Sequence, residues 1–194
     1  MSRGPGRPRA FDEDAALDAA IQVFWQAGYP AASLDALTCA MGIARPSLYA
    51  AFGDKEALYA RCLGRYRDHV CAFVQEALTQ AHDFEAGLSA MFDRAILVYT
   101  KPTPRGCLLA SAALGDAPIH PDARATVARS LDALEAIIAE FCERFVSTRR
   151  DARAQARLIV TFLYGIAARA RLGVPARDLR QDVKHFTLVV VRTD

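Results

Sequence analysis

Ser47-Leu48-Tyr49-Ala50-Ala51-Phe52-Gly53-Asp54-Lys55-Glu56-Ala57-Leu58 holds the body of one helix, its stop signal and the start of the next. Leu48, Tyr49 and Phe52 recur at helical spacing and predict one apolar face. Gly53 breaks that helix, and Asp54 is a side-chain cap for a fourth one. Working upstream, Pro46 falls in the first turn, where the missing N–H of proline costs nothing. Gly42 ends a shorter helix that Ser33 opens and that Leu37 and Met41 make amphipathic. Before it, Asp12 caps a first helix whose Leu17, Ala20, Ile21 and Phe24 share a face until Gly28. Two short helices about a Gly-containing turn predict a helix-turn-helix over residues 33–52.

An α-helix fits the DNA major groove, and the residues near its N-terminus reach base edges. Arg45 stands there, with a guanidinium fork able to bond the O6 and N7 of guanine together. Ser47 and Tyr49 carry hydroxyls suited to phosphates, and Lys55 adds charge at the start of the next helix. The first ten residues, MSRGPGRPRA, contain Arg3, Arg7 and Arg9 and no acid, so they read as a basic arm for a backbone or minor groove. Residues 1–60 hold five Lys+Arg and seven Asp+Glu, but three of those acids cluster at Asp12, Glu13 and Asp14. Arg45, Lys55 and the three arginines of the arm give at most five phosphate-neutralising groups per subunit, so DNA affinity is expected to depend on salt.

These residues carry a family resemblance. Phe11-Asp12, Ala19-Ala20 with Phe24, Gly28-Tyr29, Ser33-Leu34, Met41-Gly42-Ile43 and the quoted stretch resemble the N-terminal domain of the tetracycline-repressor (TetR) family of bacterial transcription regulators, over about residues 11–59. The resemblance implies Ser33, Ser47, Tyr49 and Lys55 at phosphates, with Arg45 and Pro46 facing bases. It implies a repressor that leaves a palindromic operator when a small molecule binds. Four positions depart from the family pattern: Thr38, Ala44 where a Ser or Thr cap is usual, and Ala50 and Ala51 where larger or polar residues are frequent.

The rest of the chain is read as long helices. Thirty-eight alanines and only 11 glycines in 194 residues favour an all-α fold of about nine helices. The resemblance implies that residues 1–58 form the arm and DNA-binding domain, and residues 59–194 a helical bundle for ligand binding and dimerisation. Cys62, Tyr66, Val70, Phe73 and Ala77 predict one stripe over residues 55–80. Further helices are expected at 84–99, at 107–114, over a stretch carrying Val127, Leu131, Leu134, Ile138, Phe141 and Phe145, and at 152–172 and 176–191. The apolar positions Leu158, Phe162, Ile166, Leu179, Val183, Phe186 and Val190 on the last two are the candidate dimer interface, a role that the resemblance implies. Tyr66, His69, Phe73, Phe92, Tyr99, Cys107, Phe141, Phe162 and Tyr164 are candidates for a pocket with apolar walls and a few polar groups.

Cys107 follows Pro104-Arg105-Gly106 and opens a helix, so its thiol is expected to ionise more readily than usual. Asp116, His120 and Asp122 lack a second histidine and read as a loop and helix cap, not a metal site. The five scattered cysteines suit a reducing cytoplasm, and neither a membrane span nor a cofactor motif is evident. With no G-x-S-x-G, Walker or H-E-x-x-H pattern, an enzyme is not expected. The alternative is a helical small-molecule carrier, or a redox- or electrophile-reactive thiol protein, with only vestigial DNA binding.

Overall fold

The computed structural model describes residues 11–101 and 105–191. All regular structure among them is helical: α1 (Glu13–Ala31), α2 (Leu34–Met41), α3 (Arg45–Phe52), α4 (Lys55–Thr79), α5 (Phe84–Thr100), α6 (Leu108–Leu114), α7 (Pro121–Cys142), α8 (Arg149–Arg171) and α9 (Ala176–Val191). The chain divides into two compact units, one ending at Cys62 and the other beginning at Leu63, and α4 runs through the boundary as a single helix.

In the first unit Asp12 caps α1, its Oδ1 accepting from the amides of Asp14 at 2.9 Å and Ala15 at 3.1 Å. Gly28, at φ +76°, interrupts the helical backbone before Ala31, so the expected stop is a kink. Ser33 Oγ caps α2 by accepting from Ala36 N at 3.1 Å. Gly42 closes α2 in the left-handed conformation, φ +66°, which lets Ile43 N reach back to Thr38 O at 3.1 Å. That turn sends the chain directly into α3. Ala44 occupies the N-cap of α3 and makes no side-chain cap bond, as its methyl group requires.

Eight residues are too few to hold a helix in water, so α3 depends on what it buries. Leu48 and Phe52 are buried, as are Leu37, Leu58, Phe24 and Tyr59 of the same unit, and the Phe52 ring lies 5.9 Å from that of Phe11. Each such side chain contributes about 1.5–3 kcal/mol relative to exposure.

In the second unit α7 packs along α8, α5 lies against α8 and α9, and α6 sits on α7 and α8. Two boundaries differ from the sequence reading. α7 ends at Cys142, leaving Phe145 in a turn where it packs 5.1 Å from Phe141 between ring centres. α8 begins at Arg149 because Thr148 Oγ1 accepts from Asp151 N at 3.1 Å. The buried stripe of α4 is Cys62, Leu63, Tyr66, Val70, Val74 and Leu78, so Phe73 and Ala77 lie at its half-buried edge.

Candidate DNA-reading surface and bundle-core site

Burying Leu48 and Phe52 turns the opposite face of α3 outward. Arg45, Pro46, Tyr49 and Ala50 are exposed there, Tyr49 by 48%, and Ser47 is half-buried. Ser33 is also exposed at the start of α2; its oxygen accepts from Ala36 N, which leaves the hydroxyl proton free to donate. Lys55 lies 4.4 Å above the Tyr29 ring centre, so its ammonium is seated on an aromatic face. Arg45 is held by Asp35 of α2, with Nη2 2.6 Å and Nε 3.2 Å from the same Oδ1. Arg3, Arg7 and Arg9 lie outside the described residues.

The sequence reading missed Arg61. From α4 it donates to Ala51 O at the end of α3 at 2.8 Å and to Glu13 Oε2 of α1 at 3.1 Å, while lying 4.6 Å from the Phe52 ring centre. It therefore ties α4 to the recognition helix. No local pattern nominates it, because its partners are ten and 48 positions away.

The second unit brings four of the pocket candidates together. Arg105 N and Gly106 N both donate to Tyr99 O near the end of α5, at 2.9 and 3.1 Å. Cys107 is thereby set beside Tyr99, and Tyr66 Oη donates to Cys107 Sγ at 3.8 Å. Tyr164 of α8 is near enough to Cys107 that the two ionised forms would repel each other, which places it in the same group. Tyr66, Tyr99 and Cys107 are buried and Tyr164 half-buried; the Tyr164 hydroxyl finds no hydrogen-bond partner, and the Tyr99 hydroxyl finds none but the weak Cys107 thiol. Unpaired buried hydroxyls are costly, and a ligand that bonds them recovers that cost.

The other candidates stand apart from this cluster. His69 is exposed on α4, and Phe73 is half-buried. Phe92 joins Phe162 and Phe186 in an aromatic group of α5, α8 and α9, with centres 5.6 and 6.0 Å from its own. Phe141 packs on Phe84 at 5.7 Å.

Cys107 corrects the expectation of an easily ionised thiol. Burial pushes it above its ordinary value, and the nearby amides of Ala110 and Leu109 and the Tyr66 and Tyr99 hydroxyls only partly offset this. Gly106 fixes its position: at φ +67°, an added Cβ would lie 2.5 Å from Ala167 O of α8. Gly106→Ala should cost about 1–3 kcal/mol through backbone strain alone. Thermal denaturation would register this, and an unchanged melting temperature would count against the close approach.

The interface candidates divide too. Ile166, Leu179, Val183 and Val190 are buried within this chain's own bundle, so they cannot offer an apolar surface to a partner. Leu158 and Val189 are 59% and 67% exposed. Phe162 and Phe186 stack at 3.9 Å between centres and, with Gly165 and Val189, line an outer groove of α8 and α9. Among the described residues no group of His, Cys, Asp and Glu gathers as a metal site, and no helix is long and apolar enough to cross a membrane.

An exposed recognition helix, braced by a buried hydrophobic underside and joined to a helical bundle, defines a helix-turn-helix regulator. Residues 16–62 match the bacterial regulatory proteins of the tetR family. The chain is 31% identical to the HTH-type transcriptional repressor ComR of Escherichia coli K12, over 93% of this chain and 90% of that protein. It is 32% identical to the repressor BdcR of the same organism, over 89% and 86%. A cysteine variant of the TetR-family regulator CifR, solved with 26-base-pair operator DNA, is 33% identical and superposes with a TM-score of 0.83 over 96% of this chain and 99% of its own. This chain belongs to the TetR family and is a DNA-binding transcriptional regulator.

Proposed function

We propose that this protein is a cytoplasmic, non-enzymatic repressor that holds a palindromic operator as a homodimer and leaves it when a small molecule binds the bundle. The outward face of α3, with Arg45 at its N-terminus and Leu48 and Phe52 buried behind it, is the observation that carries this reading. The similarity to two repressors and to an operator-bound regulator supports it. Arg45 and Pro46 face bases; Ser33, Ser47, Tyr49 and Lys55 meet phosphates, helped by the basic arm. Two-fold symmetry of the dimer is matched by an inverted repeat in the DNA.

The effector site is the group of Tyr66, Tyr99, Cys107 and Tyr164, which offers hydroxyl and thiol hydrogen bonds among apolar walls. α4 contributes Lys55 and Arg61 to the DNA-binding unit and Tyr66 to this group. An effector with higher affinity for the arrangement unable to hold DNA shifts the population by that difference in affinity.

Arg45→Ala tests the DNA-reading role. Affinity for a selected operator should fall by about 1–3 kcal/mol per half-site, with relaxed preference at the base contacted. Fluorescence anisotropy on operator and on random duplex gives both numbers. An equal loss on the two DNAs would demote Arg45 to a phosphate contact. Tight small-molecule binding without any operator preference would favour the carrier.

A further inference from the structure

Asp35 is an acid on the surface proposed to meet DNA, where a carboxylate is repelled by every phosphate. It stands in the first turn of α2, exposed by 79%, and Arg45 in the first turn of α3 is 54% exposed. An ion pair this open to water adds little to folding. Its geometry is specific, however. Nε and Nη2 both point at Oδ1, which occupies the side edge of the guanidinium. The end edge, Nη1 with the second Nη2 proton, is left for a base, and it has the spacing that the O6 and N7 of guanine require. Asp35 Oδ2 takes no part in the pair and can accept a hydrogen bond from the exocyclic amino group of a neighbouring cytosine.

We propose that Asp35 is a specificity-determining residue: it orients Arg45 end-on to a guanine and itself reads an amino-bearing base beside it. The inference rests on the proposed base-reading role of Arg45. Without Asp35 the flexible arginine side chain swings to the nearest phosphate, so affinity survives while discrimination is lost. The carboxylate also disfavours docking in any register that brings it against the sugar-phosphate backbone.

The test begins with selection by the wild-type protein from a duplex library randomised over roughly two helical turns. The selected consensus and each of its single-base variants are then titrated with wild type, Arg45→Ala, Asp35→Ala and Asp35→Asn at two salt concentrations. Both Asp35 variants should keep or gain affinity for random duplex, yet lose at least about 10-fold of the preference for guanine and for the adjacent base. Asp35→Ala should also steepen the salt dependence, by about 0.9 in log K against log salt for each phosphate that Arg45 gains. Asp35→Asn preserves size, and carries the test if the alanine variant fails to fold.

Tighter binding to every duplex with unchanged base ratios would overturn the proposal and leave Asp35 as a repulsive charge alone. If Arg45→Ala keeps the full guanine preference, or the wild type selects no motif, the base-reading assignment fails and this inference with it. Loss of preference in Arg45→Ala but not in either Asp35 variant refutes the role of Asp35 alone.

Discussion

Leu158→Arg combined with Val189→Arg should yield a folded monomer that holds operator DNA at least about 100-fold more weakly than the wild type. Both side chains are more than half exposed on the isolated chain, so the substitutions leave its own core intact. Across a two-fold axis the same patch meets itself, and four arginines would crowd the proposed interface. Losing the dimer makes each half-site bind independently, which removes the gain from linked binding. Sedimentation velocity and operator titration check the two halves of this expectation. A variant that remains dimeric would move the interface away from the outer groove of α8 and α9. Charges at Ile166 or Leu179 would be a poor test, because both lie in the core and their loss would unfold the subunit.

Raising the pH past about 9 should destabilise the protein steeply, well before an ordinary helical bundle would respond. Burial raises the Cys107, Tyr66, Tyr99 and Tyr164 groups above their ordinary values, and pushes Cys142 up to about 12. The folded state keeps these groups neutral. Below the unfolded thiol pKa, near 8.5, their contribution to stability is fully present. Above it the unfolded chain releases protons that the native chain retains, so stability falls as pH rises. Each lagging thiol removes about 1.4 kcal/mol per pH unit until its folded pKa is reached, and the tyrosines join above about pH 10. Urea midpoints followed by circular dichroism under reducing conditions, from pH 8 to pH 11, measure this. Cys107→Ala should flatten the slope; a midpoint level across the whole range would contradict the burial of these groups.

The helices were legible because their punctuation is local. Ser33, Gly42 and Asp54 each act within a few residues of the boundary they set, and apolar spacing marks α2, α3 and α4 without reference to the rest of the chain. The outward face of α3 follows from Leu48 and Phe52 by the same logic. Spacing fails where a helix is covered on several sides. Ile166 and Leu158 both look apolar on α8, but only packing against other helices decides that one is inside and the other outside. Cys107 is a similar case: its helix start argues for easy ionisation, yet burial decides the outcome, and burial depends on Tyr66 and Tyr99 arriving from elsewhere in the chain. The Asp35–Arg45 pair spans ten positions and two helices, and was invisible to any search for motifs.

The crowding around α8 bears on how such a regulator can change over generations. Phe162 is committed to the outer groove, Tyr164 to the buried hydroxyl cluster, and Ala167 O to the loop glycine that sets Cys107. Arg149, Arg153 and Arg157 line a charged furrow shared with α7. Hardly a turn of this helix is free to drift. A lineage adapting to a new signal should therefore accumulate its substitutions at Tyr66 and Tyr99, on α4 and α5, while α8 stays comparatively constant.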